Sequence, residues 1–320
     1  MNNFNKEIEN AKSICILGHI NPDGDCLGST LGIYNYIKNK YADEKYVKVY
    51  LEAPSKKFDW MPGFNEISQS ANDACVYDLA IICDCSSLDR VNKDHIRYFN
   101  EAKNHFIIDH HETNELNIEN IVLDPESPAT SQLLYDLLDK KYIDKKVAEC
   151  LYIGIASDTG VFRYSNTNKK TFEIISELID KNINFTELLD KTIFMKNFQQ
   201  KKLEAMIVGR AKFLCKGKVL FAYVTGDELS QYSLEKKDID FVVGDLRETE
   251  GVSIAAFAYE TGNDVYKISL RSNGEKINCA EFAKLNNGGG HMRAAGFTMN
   301  SNLKNIMTFL DKELDKIINE

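Results

Sequence analysis

Ile14-Cys15-Ile16-Leu17-Gly18 runs directly into His19-Ile20-Asn21-Pro22-Asp23-Gly24-Asp25, so a short apolar segment ends in an imidazole and two carboxylates. The apolar segment has the length of one buried strand, and the Pro and Gly predict a turn after it. Three more apolar segments end in the same way: 79–83 before Asp84, 106–108 before Asp109-His110-His111, and 153–157 before Asp158. In an open α/β sheet, ligands bind beyond the carboxyl ends of the strands, so we expect these four segments to converge on one point.

Alternation of apolar runs and helical patterns between residue 12 and about residue 160 predicts an α/β fold. We expect a mostly parallel, five-stranded sheet flanked by helices, with strands at 13–18, 47–51, 79–84, 105–109 and 120–123. The predicted helices cover 26–39, 92–103, 129–141, 145–157, 169–181 and 186–212.

The second half of the chain has the pattern of a smaller α+β domain. Strands are predicted at 218–224, 252–259 and 265–270, the last two forming a hairpin, and an amphipathic helix at 303–318. All five Pro lie at or before Pro128, so no Pro-rich linker marks a domain boundary. We therefore predict a first domain over 1–188, a helical linker over 189–212 and a second domain over 213–320.

Composition limits the classes of partner. The net charge of -9 over 320 residues argues against a protein that tracks long duplex nucleic acid, because such proteins carry a basic face. No apolar run is long enough to cross a membrane, and the first seven residues lack the apolar core of a signal peptide. The eight Cys include no C-x-x-C pair, so we expect reduced thiols in a cytoplasmic protein.

The Asp and His clusters have two interpretations when each is taken alone. Pro22-Asp23-Gly24 is also an ordinary turn sequence. Asp84, however, follows a buried strand directly, and a buried carboxylate without a partner is costly. Oxygen and imidazole donors without Cys favour manganese or magnesium over structural zinc.

Charge counting adds a constraint on the substrate. Four carboxylates balance two divalent ions, so the phosphate of a substrate would need other cations or backbone amides nearby; the four are Asp23, Asp25, Asp84 and Asp158.

A glycine run in the second half is the candidate anion site. Gly288-Gly289-Gly290 precedes His291, and three glycines allow close approach of backbone amides to a phosphate. The alternative is a tight turn before a strand. Arg271 and Ser272 end a predicted strand, and Arg271 suits an anion. We expect Arg271, Ser272, the three glycine amides and His291 to bind a terminal phosphate or nucleotide, which would restrict productive substrates to short ones.

With these residues in view, the chain resembles the DHH phosphoesterase superfamily. Asp109-His110-His111 matches the motif that gives the superfamily its name, and His19-x-x-Pro22-Asp23-x-Asp25, Asp84 and Asp158 match its other metal motifs in order. The segment from Asn287 to Phe297 is similar to the signature of the DHH-associated domain. The resemblance covers nearly the whole chain, and the length is similar to that of the NrnA-type branch.

The resemblance implies a site with two manganese ions, for which magnesium or cobalt could substitute. One ion would be held by His19, Asp23 and Asp84; the other would be held by Asp25, Asp84, His110 and Asp158, with Asp84 bridging the two. His111 would contact the scissile phosphate, and Asp109 would orient a histidine. The catalytic group is thus expected to comprise Asp84, Asp109, His110 and His111.

The implied activity is hydrolysis of very short RNA to 5'-mononucleotides and of 3'-phosphoadenosine 5'-phosphate (pAp) to AMP and phosphate. A cyclic di-AMP phosphodiesterase is the alternative within the enzyme class, and a non-catalytic nucleotide sensor is the alternative outside it. A homodimer is compatible with the sequence. Phe162-Arg163-Tyr164 could stack on a base or simply pack the domain. Met292 stands where NrnA-type proteins commonly have a basic residue, which leaves the substrate preference open.

Overall fold

The computed structural model of the chain describes residues 3–72, 74–114, 116, 118–273 and 277–319. The chain divides into two compact units, Met1–Met195 and Lys196–Glu320. Among the described residues, no helix has both the length and the apolar character that a bilayer span requires. The domain limits expected from the sequence, which include a separate linker over 189–212, differ from the limits of these two units and stay a prediction.

The first unit is built on a six-stranded sheet in which every strand pair is parallel, in the order β3-β2-β1-β4-β5-β6. Its strands are β1 (Ser13–Leu17), β2 (Tyr46–Tyr50), β3 (Ile67–Ser68), β4 (Leu79–Cys83), β5 (Asn104–Asp109) and β6 (Ile121–Leu123). Its helices are α1 (Asn3–Asn10), α2 (Gly24–Tyr41), α3 (Ile96–Asn100), α4 (Thr130–Leu137), α5 (Lys145–Asp158), α6 (Lys169–Ile179) and α7 (Phe185–Leu189). Strand order reverses between β1 and β4, the position where ligands bind in such sheets.

Apolar clusters cover both faces of this sheet. Ile14, Ile16 and Ile81 belong to the larger cluster, formed with α1, α2, α4, α5 and α6. Cys15 and Ile82 face the other side, toward a smaller cluster that includes residues of α3. Strands buried on both faces read as continuous apolar runs, which is why the sequence reveals them so clearly. The predicted α/β class and its parallel sheet are confirmed.

The second unit contains a mixed six-stranded sheet in the order β11-β12-β10-β9-β8-β7, in which β8 and β9 pair in parallel and the other pairs are antiparallel. Its strands are β7 (Lys212–Leu214), β8 (Val219–Val224), β9 (Ile254–Gly262), β10 (Val265–Ser272), β11 (Gly289–His291) and β12 (Ala294–Asn300). Its helices are α8 (Phe198–Gly209), α9 (Gly226–Gln231), α10 (Val242–Arg247), α11 (Cys279–Leu285) and α12 (Leu303–Asn319). The predicted hairpin of β9 and β10 is confirmed.

The prediction of one helix over 186–212 is wrong. Helix α7 continues into a π-helical turn at Asp190–Phe194, and α8 starts anew at Phe198. Asn197 explains the restart: its side chain accepts from the Gln200 amide, and the Gln200 side chain accepts from the Asn197 amide. This reciprocal cap defines a helix start. The last residue of the predicted helix, Lys212, begins β7 instead.

Smaller differences concern short elements. Strand β3 has only two residues and carries no strand pattern of its own, so the first sheet has six strands instead of five. The helices predicted at 92–103 and 129–141 are shorter, at Ile96–Asn100 and Thr130–Leu137.

Candidate metal centre

The turn between β1 and α2 directs its polar residues toward the carboxyl edge of the sheet. Asn21 adopts a left-handed backbone with φ of 54°, and Asp23 caps α2 by accepting from the amides of Asp25 and Cys26 at 3.0 and 3.1 Å. His19 is 7% exposed and Asp25 is fully buried. A side-chain cap thus holds the turn so that His19 and Asp25 are buried, while the Asp23 side chain stays exposed at the edge of the cluster.

Asp25 is fixed by the start of another helix. Its two carboxylate oxygens accept from the backbone amides of Thr130 and Ser131, at 2.6 and 2.9 Å. Helix α4 begins there after Ala129, which has no side chain able to cap it. The Asp25 carboxylate therefore satisfies the exposed amides of α4 and gains from the positive end of its dipole.

Close packing between α2, α4 and α5 holds this arrangement in place. A Cβ atom on Gly154 would lie 1.9 Å from Ser131 Oγ and 2.9 Å from Asp25 Oδ1. Position 154 therefore has no space for a side chain, and its glycine lets α5 approach Asp25 and α4.

Asp84 lies between two histidines at the end of β4. Its backbone has φ of 57°, a left-handed conformation that Asp tolerates better than most residues. The carboxylate is 3.5 Å from His19 Nε2 through Oδ2 and 3.5 Å from His110 Nε2 through Oδ1. Thr130 Oγ1 donates to Oδ1 at 3.0 Å. Asp84 is thus placed to contact a group on either side.

Backbone carbonyls define which nitrogen of each histidine faces the carboxylates. His19 Nδ1 lies 2.8 Å from the carbonyl oxygen of Ile20, and His110 Nδ1 lies 3.2 Å from that of Ser127. A carbonyl can only accept, so each Nδ1 carries a proton and donates it. In the neutral imidazole, Nε2 then presents a lone pair to the carboxylates.

His110 Nε2 provides the test of whether a cation fits. This buried atom makes no hydrogen bond to any described atom. It lies 3.4 Å from Asp158 Oδ2 and 4.0 Å from Asp25 Oδ2. A lone pair surrounded by carboxylate oxygens is unfavourable unless a positive charge lies among them, and a divalent ion supplies it. The donor set of carboxylates and imidazoles fits such an ion.

The pKa values show the excess of negative charge. Burial alone would lower the pKa of His19, but hydrogen bonds with Asp23 and Asp84 raise it to about 11. Burial likewise opposes the shift at His110, whose pKa is raised to about 10 by Asp158 and by the charges of Asp25 and Asp84. Burial, with the charges of Asp23 and Asp84, raises the pKa of Asp158 to about 6. Without a metal, protons take up part of this negative charge.

The structure brings the predicted ligands into three overlapping groups. The donor atoms within each group lie within 4.8 Å of one another; the groups are His19, Cys26 and Asp84, then Asp84, His110 and His111, then Asp25, His110 and Asp158. Asp23 joins them through a distance of 3.6 Å between its Oδ2 and His19 Nε2. Cys26 is an addition that the sequence did not single out, because its apolar surroundings resemble those of a buried structural thiol.

His111 is held by Asp109 rather than by the central carboxylates. Asp109 Oδ1 lies 2.7 Å from His111 Nδ1, and Asp109 Oδ2 accepts from Asn114 Nδ2 at 2.6 Å. The interaction with Asp109 raises the pKa of His111 although burial opposes it. Asp109 is fully buried, so Asn114 satisfies an oxygen that water does not reach. Nothing in the sequence around Asn114 indicates this role.

The candidate anion residues of the second unit differ from the prediction in two respects. Ser272 is 1% exposed and its hydroxyl donates to the carbonyl of Ile277, so it supports the chain locally. The Gly288 amide donates to the Ala283 carbonyl, which removes it from the predicted row of three amides. Gly289 and Gly290 lie in β11, paired with Gly296 and Ala295 of β12.

Arg271 is the penultimate residue of β10 and donates through Nη1 to the carbonyl of Leu270. The His291 backbone completes β11, while its side chain lies outside the described atoms. Gly290 has φ of 139°, and a Cβ there would lie 2.4 Å from the Ala294 carbonyl oxygen. The glycine run is therefore an edge strand in which Gly290 is required, and the alternative of a tight turn does not apply to Gly289 and Gly290.

The aromatic segment after Asp158 packs against its own unit. The Phe162 ring lies 6.2 Å from that of Tyr152 and 5.7 Å from that of Phe172. Tyr164 is 43% exposed. Packing accounts for Phe162, and Tyr164 is the more accessible of the two rings.

Comparison with known proteins places both units in described families. The DHH family, N-terminal domain, matches residues 13–155, and the DHHA1 domain matches residues 216–320. The chain is 30% identical over 304 residues to the Mycoplasma pneumoniae protein named bifunctional oligoribonuclease and PAP phosphatase NrnA, covering 90% of this chain and 88% of that protein.

Further similarity extends over the same length. The Bacillus subtilis protein of the same name is 27% identical over 294 residues, covering 90% of each chain. The crystal structure of an exopolyphosphatase-related protein from Bacteroides fragilis is 28% identical and superposes with a TM-score of 0.90, covering 98% of this chain and 94% of that one.

Proposed function

The chain belongs to the DHH family, and from that membership we propose that it is a metal-dependent phosphoesterase acting on very short RNA and on pAp. The products would be 5'-mononucleotides in the first case, and AMP and phosphate in the second. The names of relatives that match about nine-tenths of the chain support this choice of substrates.

The observation that carries the proposal is the surroundings of His110 Nε2. A buried, unbonded nitrogen faces Asp25, Asp84 and Asp158 at 3.4 to 4.0 Å. In the metal-free protein a proton on this nitrogen offsets the three carboxylates, and a divalent cation held among them would replace that proton. A buried cluster with pKa values shifted in this way is expected in a catalytic metal site.

We assign the ligands as two sets that share Asp84. His19, Asp23 and Asp84 would hold one ion; the other would be held by Asp25, Asp84, His110 and Asp158. Manganese is the proposed metal, with magnesium and cobalt as substitutes. Bound there, two ions would supply an activated water and neutralise charge on the phosphoryl oxygens.

Two further residues of the centre would act on the substrate: Asp109 would orient His111, and His111 would contact the scissile phosphate. Asp109 fixes the ring of His111 by accepting from Nδ1, which leaves Nε2 as the atom to contact the scissile phosphate. Because Asp109 raises the pKa of His111, the ring can carry a second proton and stabilise negative charge on the phosphate.

In the second unit, we propose Arg271, Gly289, Gly290 and His291 as phosphate-binding residues. A Cβ on Gly289 would meet nothing within 4 Å, so the backbone at this position is open to a ligand. Ser272 and Gly288 act indirectly, through their hydrogen bonds to Ile277 and Ala283.

The test is a substrate competition with the metal-stripped protein reloaded with manganese, magnesium or cobalt. Dinucleotides to pentanucleotides, pAp and cyclic di-AMP are assayed for hydrolysis. Asp84→Asn is expected to reduce hydrolysis at least about a hundredfold, while Asp89→Asn, an exposed acid in the following loop, is expected to retain it. Full activity of Asp84→Asn would contradict the shared-ligand assignment. Binding of nucleotide without turnover under every metal would identify a sensor instead.

A further inference from the structure

One face of β10 carries a line of polar side chains. Along this strand, Tyr266, Ile268 and Leu270 are 4%, 0% and 0% exposed and belong to the apolar cluster beneath α12. The alternate residues Lys267, Ser269 and Arg271 are half-buried and point to the opposite face, because successive side chains of a strand alternate. We call these three residues the β10 strip.

Small residues lie beside the β10 strip on the next strands. Register pairs Lys267, Ser269 and Arg271 with Thr298, Gly296 and Ala294 of β12. Gly296 pairs in turn with Gly289 of β11, where an added Cβ would meet nothing within 4 Å. The residues beside the strip therefore have short side chains, so the backbone of an extended ligand could approach the sheet closely there.

On its other side, the strip borders the apolar cluster that covers β9. Tyr259 and Phe257, which are opposite Lys267 and Ser269, are buried in that cluster with residues of α10. The Tyr259 hydroxyl is buried without a hydrogen bond to a described atom. The cluster thus lines one side of the strip, and the buried Tyr259 hydroxyl lies near Lys236.

A second lysine approaches Lys267 on this side of the strip. Lys236 Nζ lies 4.9 Å from the centre of the Tyr259 ring, and Tyr259 is opposite Lys267 in the sheet. Burial and then the neighbouring Lys236 lower the pKa of Lys267. The negative charge of Asp240, by contrast, raises the pKa of both lysines. Two ammonium groups in close proximity are relieved by an anion with more than one charge.

The length of the strip separates its two ends. Four residues of strand at about 3.3 Å each place Lys267 about 13 Å from Arg271 along β10. Compact ligands with phosphates on one nucleoside can use one end, whereas an extended chain of nucleotides can use both. A groove that follows a phosphate backbone is the general way in which proteins bind single strands.

We propose that Lys267, assisted by Lys236, is a second phosphate subsite that binds an internal phosphodiester of a short single-stranded RNA whose terminal phosphate is bound at Arg271. The inference rests on the proposed function and deepens it, because it separates the two substrate classes. Lys267 would contribute to trinucleotides and longer RNA and would contribute nothing to pAp.

The experiment compares Lys267→Gln with Lys304→Gln, which alters an exposed lysine of α12 on the other side of the sheet. The values of kcat/KM are measured for pAp, a trinucleotide and a pentanucleotide at several salt concentrations. Lys267→Gln is expected to reduce kcat/KM for both RNAs about tenfold through KM, to lower their salt dependence by about one charge and to leave pAp within about twofold. Lys267→Arg should restore the RNA values, and Lys236→Gln should reduce them less.

Equal losses on RNA and pAp, or no loss on either, would overturn the subsite. A separate measurement keeps this result distinct from the proposed function. Anisotropy of a fluorescent trinucleotide is recorded in chelator, where no turnover occurs. Weaker binding by Lys267→Gln than by Lys304→Gln supports the subsite even if the wild-type protein hydrolyses no substrate, an outcome that would reject only the proposed function. Equal binding by both variants would reject the subsite.

Discussion

Thr130 donates its hydroxyl hydrogen bond to Asp84, with 3.0 Å between Thr130 Oγ1 and Asp84 Oδ1. The backbone amide of the same residue donates to Asp25 at 2.6 Å. The first residue of α4 therefore orients two carboxylates of the centre, one with each of its donors. The position of α4 and the orientation of Asp25 and Asp84 are in this way linked through Thr130.

Replacing Thr130 separates its two roles. Thr130→Val keeps the amide and the side-chain shape but removes the hydroxyl donor to Asp84. We expect metal affinity to fall about 10- to 100-fold, as for other residues that orient ligands, measured by calorimetric titration with manganese. Thr130→Ser retains the donor and should bind nearly as the wild type. Equal affinities of the Val and Ser variants would show that the hydroxyl does not orient Asp84.

Gly154→Ala tests the close contact between α5 and Asp25. The added methyl would lie within 2.9 Å of Asp25 Oδ1, so the helix or the carboxylate must shift. We expect a loss of about 1–3 kcal/mol in the free energy of unfolding, together with weaker metal binding. Gly244→Ala is the matched control, because its Cβ would meet nothing within 4 Å in helix α10. That change should leave stability unchanged or raise it by about 0.5 kcal/mol. Similar denaturation curves for both variants would contradict the packing argument.

Asn114 is expected to act on catalysis through Asp109 and His111. Asn114→Ala leaves one buried oxygen of Asp109 unsatisfied and frees the ring of His111 to turn. We predict a decrease in kcat of about tenfold or more with little change in KM, and a shifted pH profile of kcat. Thr113→Ala, at an exposed neighbouring position, should change neither quantity. A purely structural role would instead appear as a lower melting temperature with an unchanged pH profile.

The raised pKa values predict how pH affects the metal-free protein. The pKa of His110 is about 10 when folded and 6.5 ordinarily, so its contribution to stability is complete below about pH 6.5 and is lost as pH rises through about 10. The difference in unfolding free energy between wild type and His110→Gln should therefore shrink over this interval. Denaturant titrations in chelator measure it. A constant difference from pH 6.5 to 10 would contradict the electrostatic argument.

Metal binding should respond to pH in the opposite direction. A ligand nitrogen must give up its proton, so manganese bound as proposed should displace protons from His19 and His110 and should bind more tightly as pH rises from 6.5. Calorimetry in buffers of different ionisation enthalpy counts the protons released. Absence of proton release near pH 7 would remove His110 and His19 from the ligand set.

The sequence was sufficient for the central strands of the first unit and the residues that follow them, but not for β3 or β7. Strands β1, β4 and β5 are buried on both faces, so their apolar runs stand out, and the polar residues after them mark the carboxyl edge. The ends of these strands therefore located Asp84 and Asp109 directly. Asp158 was located in the same way by the apolar end of α5.

Residues that act across the fold could not be predicted locally. Thr130 and Asn114 become significant only because tertiary packing brings them to Asp84 and Asp109, and neither has a distinctive sequence context. The prediction for Ser272 was not met for the converse reason. Its position at the end of a strand suggested that it binds a ligand, but its hydroxyl donates to the carbonyl of Ile277. The restart of α8 at Asn197 had a local signal in the Asn-x-x-Gln cap, and the helical pattern around it concealed that signal.

The raised pKa of Asp158 has a consequence for the evolution and engineering of this protein. A pKa of about 6 means that the folded, metal-free chain disfavours the charge on this carboxylate. Asn at position 158 would then avoid the cost of burying that charge in the absence of metal and would lose the proposed ligand. A laboratory library screened for heat resistance alone would drift toward inactive sequences at this position, and screening in the presence of the ion would reverse that drift.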